Sequence, residues 1–88
     1  MHKLHKILKQ IYKELEAAED YIHCASVSED DVKDTYKSLS RDELLHADKL
    51  MTMCEKHLED EKKIIWDFEK EMLKDRYTNL KTKLSYID

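Results

Sequence analysis

The 88 residues contain no glycine and no proline. These two residues most reliably stop a helix or turn a chain. Without them, every reversal of direction has to be built from polar residues alone. Ala, Glu, Lys, Leu and Arg supply much of the rest, so long helices with short connections are expected. The length suits one domain, residues 1–88. Apolar and charged residues each make up 41%, against about 45–50% and about 25% in ordinary domains. A chain this short and this polar buries a thin core alone, so self-association is expected.

Apolar spacing divides the chain into three helices. The first is expected from about Lys3 to Cys24, with a ladder of Leu4, Ile7, Ile11, Ala18, Tyr21 and Ala25. Leu8, Leu15 and Ile22 widen that face. In "ASVSEDD" the pattern stops. Ser26 and Glu29 have capping-box spacing, and Asp30 and Asp31 suit a helix N-terminus. A second helix is expected from about Glu29 to His57, with Val32, Tyr36, Leu39, Leu50 and Met53 as its ladder. "EKHLEDEKK" is the next polar break, and a third helix follows from about Glu61 to Tyr86. Its apolar residues drift around the axis from Ile65, Phe68 and Met72 to Tyr77, Leu80 and Leu84, which implies more than one neighbour. Trp66 and Phe68 are expected at an interface of this helix. The fold class is therefore all-α: an antiparallel hairpin over about residues 3–58 and a C-terminal helix over about 61–86.

Several function classes are disfavoured. A net charge of −4 offers no basic stripe for phosphates, so no nucleic acid is expected. No apolar run approaches the roughly 20 residues of a membrane span. No signal peptide is recognised, and Cys24 and Cys54 lie far apart with no CxxC. Free thiols in a reducing cytoplasm are the expectation.

Both hairpin ladders have polar rungs. Position 14 is Glu14, and the two positions that complete the second ladder are Glu43 and His46. Position 14 lies about fourteen residues before a turn near residue 28, and position 43 about fifteen after it. At about 1.5 Å per residue they are level in an antiparallel hairpin, and Glu43 and His46 share a face at i, i+3. Ionised carboxylates in a dry seam cost several kcal/mol without a counter-charge. Carboxylate with imidazole suits iron, manganese or zinc. Di-metal carboxylate bundles use one Glu from each of two helices and Glu-x-x-His from each of the other two. One chain carries half of that set, and a two-fold copy completes it. Glu-x-x-His alone is a weak signal; its level registry with Glu14 is what strengthens it.

"KELEAAEDY" followed by "SRDELLHA" resembles the two-helix encapsulated ferritins and, more distantly, half of a rubrerythrin or ferritin-like bundle. The similarity covers roughly residues 10–58: a Glu, a Tyr seven residues on, and ExxH about thirty residues after the Glu, here Glu14, Tyr21, Glu43 and His46. It implies a four-helix bundle completed by dimerisation and a di-iron site at the homodimer interface. It further implies ferroxidase activity, oxidising Fe(II) to Fe(III) for iron storage and detoxification, in a ring of dimers. The metal ligands it implies are Glu14, Glu43 and His46, with Tyr21 as a nearby donor. A location inside an encapsulin shell follows from the family. Glu16 matches a family acid that guides ions inward, but Lys13 replaces an acidic residue and Asp20 an aromatic one, which weakens the case for an accessory ion-guiding site. The family's apolar targeting tail is not evident in "KTKLSYID".

Other constellations are weaker. Asp20 and His23 lie off the ladder and are expected in solvent. His2 and His5 facing Cys54 and His57 would form a zinc-like set at the open end of the hairpin, without an apolar shell. Two rival functions stand beside ferroxidase. One is a non-enzymatic helical assembly protein with a structural zinc or no metal. The other is a di-iron oxidase acting on an organic substrate, disfavoured by the absence of an obvious cavity.

Overall fold

The computed structural model describes the backbone of residues 2–87 and the side chains of residues 4–87. Three helices run in order: α1 (His2–Ser26), α2 (Asp30–His57) and α3 (Asp60–Ser85). No strand is present among the described residues. No described helix is long and apolar enough to cross a membrane. The molecule is a rod with extents of 48 × 19 × 16 Å. That length is what helices of 25 to 28 residues require at about 1.5 Å per residue.

Both connections lack a glycine, and each solves the problem differently. Ser26 and Glu29 do not form a capping box. Ser26 is the last residue of α1, and its hydroxyl donates to the carbonyl of His23 at 2.6 Å. Ser28 donates in the same way to Cys24 at 2.7 Å. Glu29 takes the N-cap position in extended backbone without a side-chain bond. Asp30 then adopts φ 54, a left-handed geometry that aspartate tolerates better than most residues. Asp30 and Asp31 place negative charge at the positive end of the α2 dipole. The second connection is only Leu58 and Glu59, both extended.

The core is a stripe of Leu4, Ile11, Leu15, Ala18, Ile22, Leu44, Ala47, Met51 and Cys54 from the hairpin, closed by Trp66, Leu73, Leu80 and Leu84 of α3. This corrects the expected α2 ladder. Burial centres on Ser40, Leu44, Ala47, Met51 and Cys54, one residue round from Tyr36, Leu39, Leu50 and Met53. Val32 is 56% exposed. The cause is α3, which packs across one side of the hairpin and draws the core toward itself. Trp66 is fully buried in that core. Phe68 points outward with Ile64, Ile65 and Met72, all exposed.

The helix contacts are stitched by polar bonds at the rim. Tyr12 donates to Glu69 at 2.9 Å, and Arg76 pairs with Glu19 at 3.2 Å. Lys74 pairs with Glu55 at 2.9 Å. Lys74 first, and the nearby indole of Trp66 second, hold the Glu55 carboxyl below its ordinary range. The Trp66 N–H reaches no partner in true hydrogen-bond geometry, so its effect on Glu55 is a loose electrostatic contact.

Candidate metal centre

With α3 on one side of the hairpin, the other side is left open, and two half-buried rows meet there. On α1 the row is Ile7, Glu14 and Tyr21; on α2 it is Leu50, Glu43 and Tyr36. Each steps by seven residues, so each stays on one side of its helix. The antiparallel register sets Ile7 level with Leu50, Glu14 with Glu43, and Tyr21 with Tyr36. The tyrosine rings meet with centroids 6.1 Å apart.

At the middle rung the polar groups converge. His46 Nδ1 lies 3.1 Å from a Glu43 carboxylate oxygen and 3.3 Å from one of Glu14. One ligand atom from each of the three residues falls within 4.8 Å of the others. Gln10, one turn before Glu14, donates to its second carboxylate group oxygen at 2.7 Å and fixes its orientation. Nδ1 of His46 is thus the ring nitrogen that faces both carboxylates.

The expected dry seam is a half-wet rim. The Glu14 and Glu43 side chains are 14% and 23% exposed, and His46 is 53% exposed. Even so, Glu43 is short of positive charge. Burial raises its pKa most, the negative charge of Glu14 raises it further, and His46 opposes both. Among the described residues no Lys or Arg pairs with Glu14 or Glu43. A cation fits this deficit. Adjacent ligands at about 2.0–2.2 Å from a first-row cation sit about 3.0–3.5 Å apart in octahedral or tetrahedral geometry, which is the spacing His46 already has to both carboxylates.

Tyr21 is not gathered into this cluster within one chain. It lies one rung away, about 10.5 Å along the helix, against Tyr36. Glu16, Lys13 and Asp20 point to solvent. Asp20 and His23 are exposed as expected. The His/Cys set at the far end is not assembled among the described residues. Cys54 is buried, and burial followed by the charge of Glu55 raises its thiol pKa. His57 shares a groove with Cys54, but His5 lines a different one. The side chain of His2 lies outside the described residues. What the sequence did not single out is Gln10 and the Tyr36 partner of Tyr21. The seven-residue spacing of Tyr36 from Glu43 was the available signal. No family model matches the chain, and neither does any curated protein or solved structure, so what the centre does has to come from its own donors.

Proposed function

We propose that the chain is a ferroxidase of the encapsulated-ferritin type, oxidising Fe(II) to Fe(III) at a di-iron site shared across a homodimer. The observation that carries this is the middle rung: two carboxylates and an imidazole from two helices, at ligand spacing, with no lysine or arginine to neutralise them. Glu14, Glu43 and His46 would hold the iron, and a bound Fe(II) pair would supply two electrons, one from each iron, to dioxygen. One protomer offers two carboxylates and one imidazole, half of a di-iron carboxylate set. The donors face outward on the uncovered side of the hairpin, so an isologous two-fold places a second set against the first and completes a four-helix bundle.

The protein groups have distinct tasks in this scheme. Burial and the Glu14 charge hold the Glu43 carboxyl above its ordinary range, so a cation beside it would relieve that repulsion, and charge neutralisation would favour binding. Nδ1 of His46, which faces both carboxylates, would be the nitrogen offered to the metal. Gln10 holds Glu14 in one orientation while the metal charge changes. Ile7, Leu50, Leu39 and the tyrosine pair surround the rung with half-buried apolar surface, which a second copy turns into a water-poor wall.

The test combines sedimentation with iron oxidation. In chelator the two-fold pairs four carboxylates against one another and is weakened; Fe(II) added anaerobically should shift the chain to a dimer with one metal per chain. Air should then generate the ferric absorbance faster than protein-free solution does. A dimer of equal strength in chelator, or a full-stoichiometry site on a monomer, sinks the shared-site scheme. Zinc binding with no acceleration of iron oxidation makes the centre structural instead.

A further inference from the structure

A second surface feature lies away from the open face, where α2 meets the end of α3. A groove of about 490 Å³ runs there over Leu44, Tyr77 and Leu84, with Lys37, Arg41 and Lys81 along its edges. The chain has 20 acidic against 16 basic residues, yet among the described residues three basic side chains and no carboxylate line this groove. None of the three cations is in a salt bridge among the described residues. Lys37 donates to the carbonyl of Ile87 at 3.0 Å, and Lys81 sits 5.5 Å above the Tyr77 ring. Leu45 on its wall is 49% exposed. A positive rim around an apolar floor calls for an occupant that is apolar at its tip and acidic around it.

The chain carries such an element. The α1–α2 turn exposes Val27 (72%) and Val32 (56%). Between and beside them stand Glu29, Asp30, Asp31 and Asp34, all exposed and none in a salt bridge among the described residues. Its shape is set in advance: backbone bonds from Val27 to Cys24 and from Ser28 to Ala25 close it, and the Ser26 and Ser28 hydroxyls lock the same turn. A preformed turn loses little entropy on docking.

We infer that the valine-tipped acidic turn of one copy docks in the cation-edged α2–α3 groove of a neighbouring copy. One contact explains two features that each lack a partner within the chain. It is heterologous, using a different patch on each copy, so it can repeat from copy to copy, and it is separate from the two-fold at the metal centre. A free anionic amphiphile would fill the groove but leave the valines unexplained.

Charge reversal tests this on the full-length chain in excess chelator, where metal-bridged pairing is silent. Sedimentation at low salt should show concentration-dependent association that weakens as salt rises. Arg41→Glu alone and Asp31→Arg alone should each weaken it by about tenfold or more. An equimolar mixture of the two variants should associate again, because the intact acidic turn of the Arg41→Glu copy meets the intact groove of the Asp31→Arg copy, and the basic turn of the latter meets the acidified groove of the former. Wild-type association that ignores Arg41→Glu, or a mixture that stays dissociated while both variants keep full helicity, overturns the contact. A wild-type chain that stays monomeric and binds one decanoate per chain by calorimetry also overturns it, and gives the groove to an anionic amphiphile.

Discussion

The two sides of the α1–α2 hairpin are built from the same two helices and reach opposite outcomes. The side under α3 is closed by Trp66, Leu73 and Leu80 against Ile11, Leu15 and Leu44, with almost no exposure. The other side keeps the same antiparallel register, but its central rung is Glu14, Glu43 and His46, partly open to water. Burial of apolar area stabilises the first without help. On the second, the charged rung withholds that gain until something neutralises the carboxylates and covers the tyrosines and leucines around them. The first face is complete within the folded chain, and the second is the one that the proposed dimer would cover.

Breaking the closed face should have the largest effect. Trp66→Ala removes the largest fully buried side chain and should cost about 3–5 kcal/mol, a large share of the roughly 5–15 kcal/mol that holds a domain together. Urea unfolding followed by far-ultraviolet dichroism would show it; an unmoved midpoint would mean that α3 does not close the core.

Breaking the open face should leave the fold intact and remove its chemistry. His46→Ala or Glu43→Ala should lower metal affinity by about 100-fold or more with unchanged helix content and a urea midpoint within ~1 kcal/mol of wild type. Wild-type iron oxidation by either variant would mean that the rung does not bind the metal.

The smallest effect sharpens the comparison through pH. The folded chain holds the Glu43 proton more tightly than the unfolded chain does, because burial and Glu14 raise its pKa. Metal-free stability from this group therefore falls as pH rises from the ordinary carboxylate range through that raised value, and stays lowered above it. Glu43→Gln should stabilise the metal-free protein at pH 7 by a few tenths to ~1 kcal/mol and bring no gain well below pH 4.5, the ordinary glutamate value. Equal gains at both pH values would trace the effect to packing.

Helix number, order and extent were legible from spacing, because with no glycine or proline the only breaks are the two polar stretches that became turns. The convergence of Glu14, Glu43 and His46 was legible too, since registry about residue 28 depends only on helical rise. The side on which they sit was not. Tyr36, Leu39, Leu50 and Met53 form as regular a ladder as Ser40, Leu44, Ala47, Met51 and Cys54, and a serine at position 40 hides the second. What decides between them is where α3 lands, a tertiary event that α2 alone does not encode. Ser40 can be buried because its hydroxyl donates to the carbonyl of Lys37 at 2.8 Å, a local solution invisible in a hydropathy pattern.

The constant register of the open face makes the hairpin a graduated ruler. Its marks are about 10.5 Å apart, and the carboxylate–imidazole rung is one mark among three. Shifting the motif by one mark toward the turn puts its three residues at Tyr21, Tyr36 and Leu39; shifting it the other way puts them at Ile7, Leu50 and Met53. Those triplets are half-buried or, at Met53, partly exposed, as Glu14, Glu43 and His46 are. The centre is therefore transposable: it can be moved or duplicated along the rod by rewriting three side chains, without altering either turn or the core beneath α3.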